Sequence, residues 1–292
     1  MARRLLGVAL LAGLAVACAR AADPDAPVVV IDSGGKEIKL KAAKMLAGFR
    51  RLAWLADPKG TTDDAKKGPL ALELREPNST TYVKGVQTLV PLGCIEALRY
   101  DSERQTVQVK GLAEPLTGTL QFKGFNVVAF EGDADGLTTK FTGGVPKGGF
   151  RSVTFPGAKP FPPHKAGGTA WRVQIDQPKA GNPTLAVRNL RALYHFPNGS
   201  EVLAGDVPIR KGRSPLKFDA SLKKLEFLAI DTNTHMAAAE VCEDAAPECT
   251  VVIPLTIERD GKTGTMTGLV GEADVGWKLF PLHCIKVIKP GP

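Results

Sequence analysis

Pro91-Leu92-Gly93-Cys94-Ile95 and Pro281-Leu282-His283-Cys284-Ile285 are two versions of one pentapeptide, set 190 residues apart. Three more matches precede them in the same order. Gly35-Lys36-Glu37-Ile38 matches Gly199-Ser200-Glu201-Val202, Leu52-Ala53 matches Leu228-Ala229, and Pro69-Leu70-Ala71-Leu72-Glu73 matches Pro254-Leu255-Thr256-Ile257-Glu258. The offsets run 164, 176, 185 and 190 and only increase. One duplicated unit with insertions in its second copy explains that progression, whereas chance matches would scatter.

Each unit reads as β. Val28-Val29-Val30-Ile31-Asp32 leads through Ser33-Gly34-Gly35 into Glu37-Ile38-Lys39-Leu40, a strand, a glycine turn and a strand of alternating polarity. Leu193-Tyr194-His195-Phe196 leads through Pro197-Asn198-Gly199 into Glu201-Val202-Leu203 in the same way. Leu70–Leu74, Leu255–Glu258 and Val107–Lys110 alternate as half-buried strands do. Leu46, Phe49 and Leu52 stand at helical spacing, but the matched stretch before Leu228 is Ser221-Leu222-Lys223-Lys224-Leu225 and follows Ser214-Pro215, so a strand after a short helical turn is expected there. Between the units, residues 111–163 are rich in Gly and Phe. Clusters such as Gly132-Asp133 and Gly148-Gly149 punctuate short apolar runs, the rhythm of strands and tight turns. The glycine stretch from Gly143 to Gly149 reads as a hairpin loop.

The expected architecture is all-β: duplicated small β-barrel or sandwich-like units flanking a Gly/Phe-rich β segment. The division is residues 1–22 as signal peptide, 23–110 as the first unit, 111–163 as the Gly/Phe-rich segment, 164–189 as linker and leading strand, and 190–292 as the second unit with insertions. The order of strand, turn and Pro-Leu-x-Cys-Ile resembles small β-barrels of the Sm-like kind. That resemblance implies a fold and no function.

The N-terminus decides the compartment. Met1-Ala2-Arg3-Arg4, the apolar run Leu5–Ala17 and Ala19-Arg20-Ala21 form a charged start, a short hydrophobic stretch and a small-residue cleavage site. The run is shorter than the roughly 20 residues a membrane span needs. Ala15-Val16-Ala17-Cys18 also approaches a lipobox, which would make a lipidated Cys18 the new N-terminus and Cys18 the one attachment to a membrane. Either route leaves an exported chain of about 270 residues, periplasmic, cell-surface or secreted. Losing Arg3, Arg4 and Arg20 takes the net charge from +8 to +5, and the remaining Lys and Arg are dispersed, so no nucleic-acid stripe is implied.

An oxidising compartment makes the four remaining cysteines informative. Cys242 and Cys249 enclose Glu-Asp-Ala-Ala-Pro-Glu, a short loop that a disulfide would stabilise by about 2.5 kcal/mol. Cys94 and Cys284 read as buried thiols, with a bridge between the two copies as the sharper alternative. As residues of a strand they would share a face with Leu92 and Leu98, and with Leu282 and Ile288. His235, Cys242, Cys249 and His283 match no zinc spacing. Glu131, Asp133 and Asp135 before Gly136 begin as a calcium loop begins, but Thr142 stands where the bidentate acid belongs. Gly261-Lys262-Thr263 lacks the earlier glycine of a phosphate-binding loop. Trp54, Trp171 and Trp277 would form a sugar platform if exposed, and core positions otherwise.

No catalytic residue and no cofactor emerges. The expectation is a non-enzymatic binding or scaffolding protein of the cell envelope, whose partner is an envelope protein or polymer. Two other readings are an exported hydrolase, with Glu73 and Glu258 as the acids to inspect first, and a calcium-dependent adhesion module through the loop at Glu131.

Overall fold

The computed structural model describes residues 28–56, 68–75, 85–101, 104–119, 128–143, 149–164, 167–168, 170–175, 181–204, 210–211, 214–215, 225–231, 236–241, 250–253 and 256–290. The signal with Cys18, and Cys242 and Cys249, lie outside these residues.

The fold is all-β. The first half supplies β1 (Val28–Asp32), β2 (Glu37–Ala47), β3 (Phe49–Arg51), β4 (Leu70–Arg75), β5 (Gln87–Pro91), β6 (Ile95–Tyr100), β7 (Arg104–Val109), β8 (Leu116–Thr119), β9 (Ala129–Ala134), β10 (Leu137–Gly143) and β11 (Gly149–Thr154). The second half supplies β12 (Ala170–Ile175), β13 (Thr184–His195), β14 (Glu201–Ala204), β15 (Arg210–Lys211), β16 (Ser214–Pro215), β17 (Leu225–Asp231), β18 (Met236–Val241), β19 (Thr250–Ile253), β20 (Thr256–Arg259), β21 (Lys262–Glu272), β22 (Trp277–Pro281) and β23 (Ile285–Pro290). A single helical turn, α1 (Ala53–Ala56), follows β3. The apolar spacing at Leu46, Phe49 and Leu52 thus falls on strand, with helix only beyond Leu52.

Five strands close a barrel in the order β1, β2, β9, β10, β11 and back to β1. The Gly/Phe-rich segment therefore shares one barrel with β1 and β2. Its phenylalanines fill the barrel: Phe130 stacks on Phe141 with ring centres 5.9 Å apart and meets Phe150 at 5.0 Å, and Tyr100 meets Phe150 edge-on at 5.0 Å. Burying a ring of this size stabilises the fold by on the order of 2–3 kcal/mol. Gly143 lies under Tyr100, where a Cβ would come within 2.6 Å of the ring.

The expectation of a hairpin across residues 143–149 is corrected here. β10 and β11 pair in parallel, Thr142 with Gly149 and Gly143 with Phe150. The reason is topological. β1 occupies one edge of β11 and β6 pairs with its second half, which leaves β10 only the start of the remaining edge.

The other sheet is a separate, antiparallel one. Its path runs β16-β15-β19-β18-β17-β23-β12-β13-β21-β22-β5-β4-β3, with β14 on β13 and β20 on β21. Three cores result. One fills the barrel and includes Val30, Leu40, Leu72, Val90, Cys94, Ile95, Leu98 and Phe130. A second gathers Trp171, Val173, Tyr194, Phe280, Cys284, Ile285 and Ile288. The third draws Leu52, Trp54, Ala71 and Leu89 from the first half and Leu193, Val270 and Leu279 from the second. Complete burial drives the Tyr194 hydroxyl up to about 12.

The outermost sequence matches share local geometry. In the turn after β1, the Asp32 N–H donates to the Lys36 carbonyl and the Gly35 N–H to the Asp32 carbonyl. In the turn after β13, Phe196, Ser200 and Gly199 repeat both bonds. Gly35 and Gly199 take φ of 88° and 82°, a region open to glycine. Each Pro-Leu-x-Cys forms one 3-10 turn, with the Ile95 N–H bonded to the Leu92 carbonyl and the Ile285 N–H to the Leu282 carbonyl. Cys94 and Cys284 therefore close helical turns and are not strand residues. Both side chains are buried, in separate cores.

The two middle matches do not correspond. Ala53 begins α1, whereas Leu228 and Ala229 lie within β17. The strand paired with β5 is β4, and the strand paired with β22 is β21, not the β20 that carries Thr256–Glu258. Leu-x-Leu-x alternation is common to half-buried strands and does not identify one.

Candidate functional site

The polar side chains that converge do so where the two halves of the chain meet. β5 and β22 lie side by side and antiparallel, with Leu89 opposite Trp277, Thr88 opposite Lys278 and Gln87 opposite Leu279. Paired residues share a face, so Glu73, Leu89, Trp277 and Glu272 form one row across β4, β5, β22 and β21.

At one end of that row, Glu272 accepts a hydrogen bond from Asn189 Nδ2 at 2.7 Å. Asn189 sits at φ 48°, a left-handed conformation that asparagine tolerates better than most residues. His164 Nδ1 lies 3.8 Å from the same carboxylate, and His164 Nε2 lies 2.8 Å from the Gly276 carbonyl oxygen. Phe161, His164 and Trp277 pack edge to face, with centroids 5.0, 5.5 and 5.8 Å apart. Gly276, at φ 70°, lets the turn press against β5: a Cβ there would stand 2.0 Å from the Leu89 carbonyl oxygen.

The second cluster closes a seam. The run from β14 through β13, β21, β22, β5 and β4 to β3 curls until its edges touch. Arg50 of β3 pairs with Glu201 of β14, and α1 packs against β14. Both side chains are largely buried, 21% and 12% exposed, which makes the pair a clasp rather than a surface bridge. Arg50 also lies 5.7 Å over the Trp54 ring, and His195 Nδ1 is 3.8 Å from Glu201. Burial of Trp54 leaves its indole Nε1 without a hydrogen-bond partner.

The residues singled out from sequence are dispersed. Glu131 and Asp133 stand on the outer face of β9, Glu131 against Lys44 at 3.5 Å. The Asp133 carboxylate accepts the Gly136 N–H at 2.9 Å, and Asp135 and Gly136, both at positive φ, make the tight turn into β10. Among the described residues, no group of three or more His, Cys, Asp or Glu could hold a metal ion. Gly261 lies with Asp260 in the turn between β20 and β21. Trp54 and Trp171 are core residues and Trp277 is half-buried. His235, Cys242 and Cys249 lie outside the described residues, as does the side chain of His283.

Glu73 and Glu258 are far apart. Glu73 shares the row of Glu272, whereas Glu258 pairs with Thr263 at the other end of β21. Nine residues of strand at about 3.3 Å each put roughly 30 Å between those levels. Glycosidase carboxylates stand about 5–9.5 Å apart.

Neither cluster was legible in the sequence. Arg50 and Glu201 are 151 residues apart, and no local motif links His164 to Glu272. No protein-family model, curated protein or solved structure matches this chain.

Proposed function

We propose that this chain is an exported, non-enzymatic binding or scaffolding protein of the cell envelope, built from two related β units held as a rigid pair. The observation that carries this reading is the β5–β22 ladder. The two strands that enter the Pro-Leu-x-Cys-Ile turns pair with each other. Thr88 and Lys278, each three residues before its proline, are opposite one another, so the register is the same seen from either unit. This is the arrangement of a two-fold, self-complementary interface, realised within one chain.

The flanking residues follow the same reciprocity. Val90 lies in the first core and Phe280 in the second, while Leu89 and Leu279 meet in the shared core. Val86, just before β5, packs in the second core, and Val275, two residues before β22, packs in the first. Two like surfaces at a fixed spacing suit a repetitive polymer or a two-site partner, because the second contact forms at high effective concentration. A Cys242–Cys249 staple and either a released or a Cys18-anchored N-terminus belong to the same reading. Intact mass of the exported protein distinguishes each form.

The test is capture of envelope protein complexes and purified envelope polymers on the immobilised mature protein, alongside Lys278→Pro, which breaks the ladder. Capture of a defined partner that weakens at least tenfold with the variant supports the proposal. Equal capture by both proteins removes the role of the pairing, and catalytic turnover of a captured polymer overturns the non-enzymatic reading.

A further inference from the structure

β12 and β13 present a face of the second sheet that the cores do not use. Trp171, Val173, Ile175 and Val187 turn to the second core. Ala170, Arg172 and Gln174 on β12, and Thr184, Ala186 and Arg188 on β13, therefore turn the other way. Arg172, Thr184, Ala186 and Arg188 are exposed. Arg172 stands opposite Ala186 and Arg188 opposite Ala170, so the two arginines are diagonal neighbours. Such positions lie about 7–8 Å apart.

A bulge adds a third arginine to this face. Arg188 pairs with Glu272 and Arg191 with Val270, three residues along β13 against two along β21. Alternation alone would turn Arg191 to the opposite face from Arg188. The extra residue, with Asn189 at φ 48°, returns it to the same face, about 7 Å further along. Arg191 is exposed as well. The described ion pairs involve none of the three arginines. Glu272, opposite Arg188, is engaged by Asn189 Nδ2 at 2.7 Å. Like charges at this spacing repel, and the alanines opposite Arg172 and Arg188 offer no compensation.

We propose that this face binds an acidic polysaccharide through Arg172, Arg188 and Arg191, an inference that rests on the envelope-binding reading above and names its ligand class. Each guanidinium fork takes a carboxylate in two parallel hydrogen bonds, and the acids relieve the repulsion between the arginines. Gln174 and Thr184 face each other on the same surface. Gln174 Nε2 donates to the Asn182 carbonyl at 3.4 Å, which leaves its amide oxygen, with the Thr184 hydroxyl, to bond the sugar hydroxyls between acids. A lipid surface fits less well, because binding there needs apolar side chains to enter the bilayer. The exposed large hydrophobic residues, Leu46 and Leu137, stand on β2 and β10 of the barrel.

Calorimetric titration of the intact mature protein with polygalacturonate tests this. The natural protein should bind, and salt should weaken binding by screening. Changing Arg172→Gln, Arg188→Gln and Arg191→Gln together should weaken it by about tenfold or more, since each exposed ion pair contributes about two- to fivefold. All three are surface positions, so thermal unfolding should match that of the natural protein. The control removes the same charge from the barrel through Lys39→Gln, Lys41→Gln and Lys44→Gln, all exposed on β2, and should change affinity by less than about twofold. Equal losses in the two triple variants, or full binding by the arginine variant, overturn the assignment to this face. Tighter binding to polyphosphate or to anionic phospholipid vesicles overturns the polysaccharide. Absence of polygalacturonate binding also overturns the inference, whereas the wider reading fails only with the capture experiment above.

Discussion

Thr88 and Lys278 face each other across the β5–β22 ladder, and Lys278 Nζ donates to Thr88 Oγ1 at 3.2 Å. Each stands three residues before the proline of its own Pro-Leu-x-Cys-Ile. The junction between the two halves is therefore centred on a pair of corresponding residues, with Leu89 and Leu279 beside them in the shared core.

The leucines, not the Thr–Lys bond, should carry the junction. Lys278→Ala removes the partly buried, charge-assisted hydrogen bond to Thr88, which costs about 1.5 kcal/mol. Leu89→Ala and Leu279→Ala should each cost about 2–5 kcal/mol. Because both side chains line one cluster, the double variant should depart from additivity by more than about 0.5 kcal/mol. Chemical denaturation of the four variants checks this, and strict additivity would show that the two leucines do not share a core.

Gly276 and Gly261 separate backbone strain from collision. Both have φ near 70°, so alanine at either pays the left-handed penalty, about 1 kcal/mol. At Gly261 a Cβ meets nothing within 4 Å, while at Gly276 it meets the Leu89 oxygen at 2.0 Å. Gly276→Ala should therefore destabilise by at least about 2 kcal/mol more than Gly261→Ala. Thermal unfolding of the pair measures the difference.

The Arg50–Glu201 clasp should behave as a buried charge pair. Removing either partner strands the other in the seam, at a cost of about 2–4 kcal/mol. Replacing both with residues of similar volume should cost less than the sum of the single changes. A double-mutant cycle on Arg50→Met and Glu201→Gln reads the coupling, and a coupling below about 0.5 kcal/mol would place the pair in solvent instead.

Tyr194 sets an alkaline limit on stability. Burial raises its hydroxyl to about 12 from an ordinary value of 10.0. The folded state thus holds the proton more tightly than the unfolded state. The contribution is complete below pH 10 and is lost as pH rises to about 12, about 2–3 kcal/mol over that window. Tyr194→Phe should flatten this part of the stability profile. Absorbance titration near 295 nm should show Tyr194, like the buried Tyr100, resisting ionisation until the chain unfolds.

The sequence by itself determined the local pieces. Turn chemistry at Ser33-Gly34-Gly35 and Pro197-Asn198-Gly199, alternating polarity, and the repeated Pro-Leu-x-Cys-Ile act within a few residues, and the structure places two like hairpin turns and two like 3-10 turns there. The strand assigned to Cys94 and Cys284 did not hold, since both end 3-10 turns, although both are buried. Which strands pair was decided only in the tertiary structure. Alternation fixes the face a residue turns to but carries no address for a partner strand, so the match of Pro69–Glu73 with Pro254–Glu258 misled, and the parallel β10–β11 pair was not foreseen. The clasp at Arg50–Glu201 and the contact of His164 with Glu272 have the same origin. Each joins residues more than a hundred positions apart, brought together when the sheet curls and the two halves share one core.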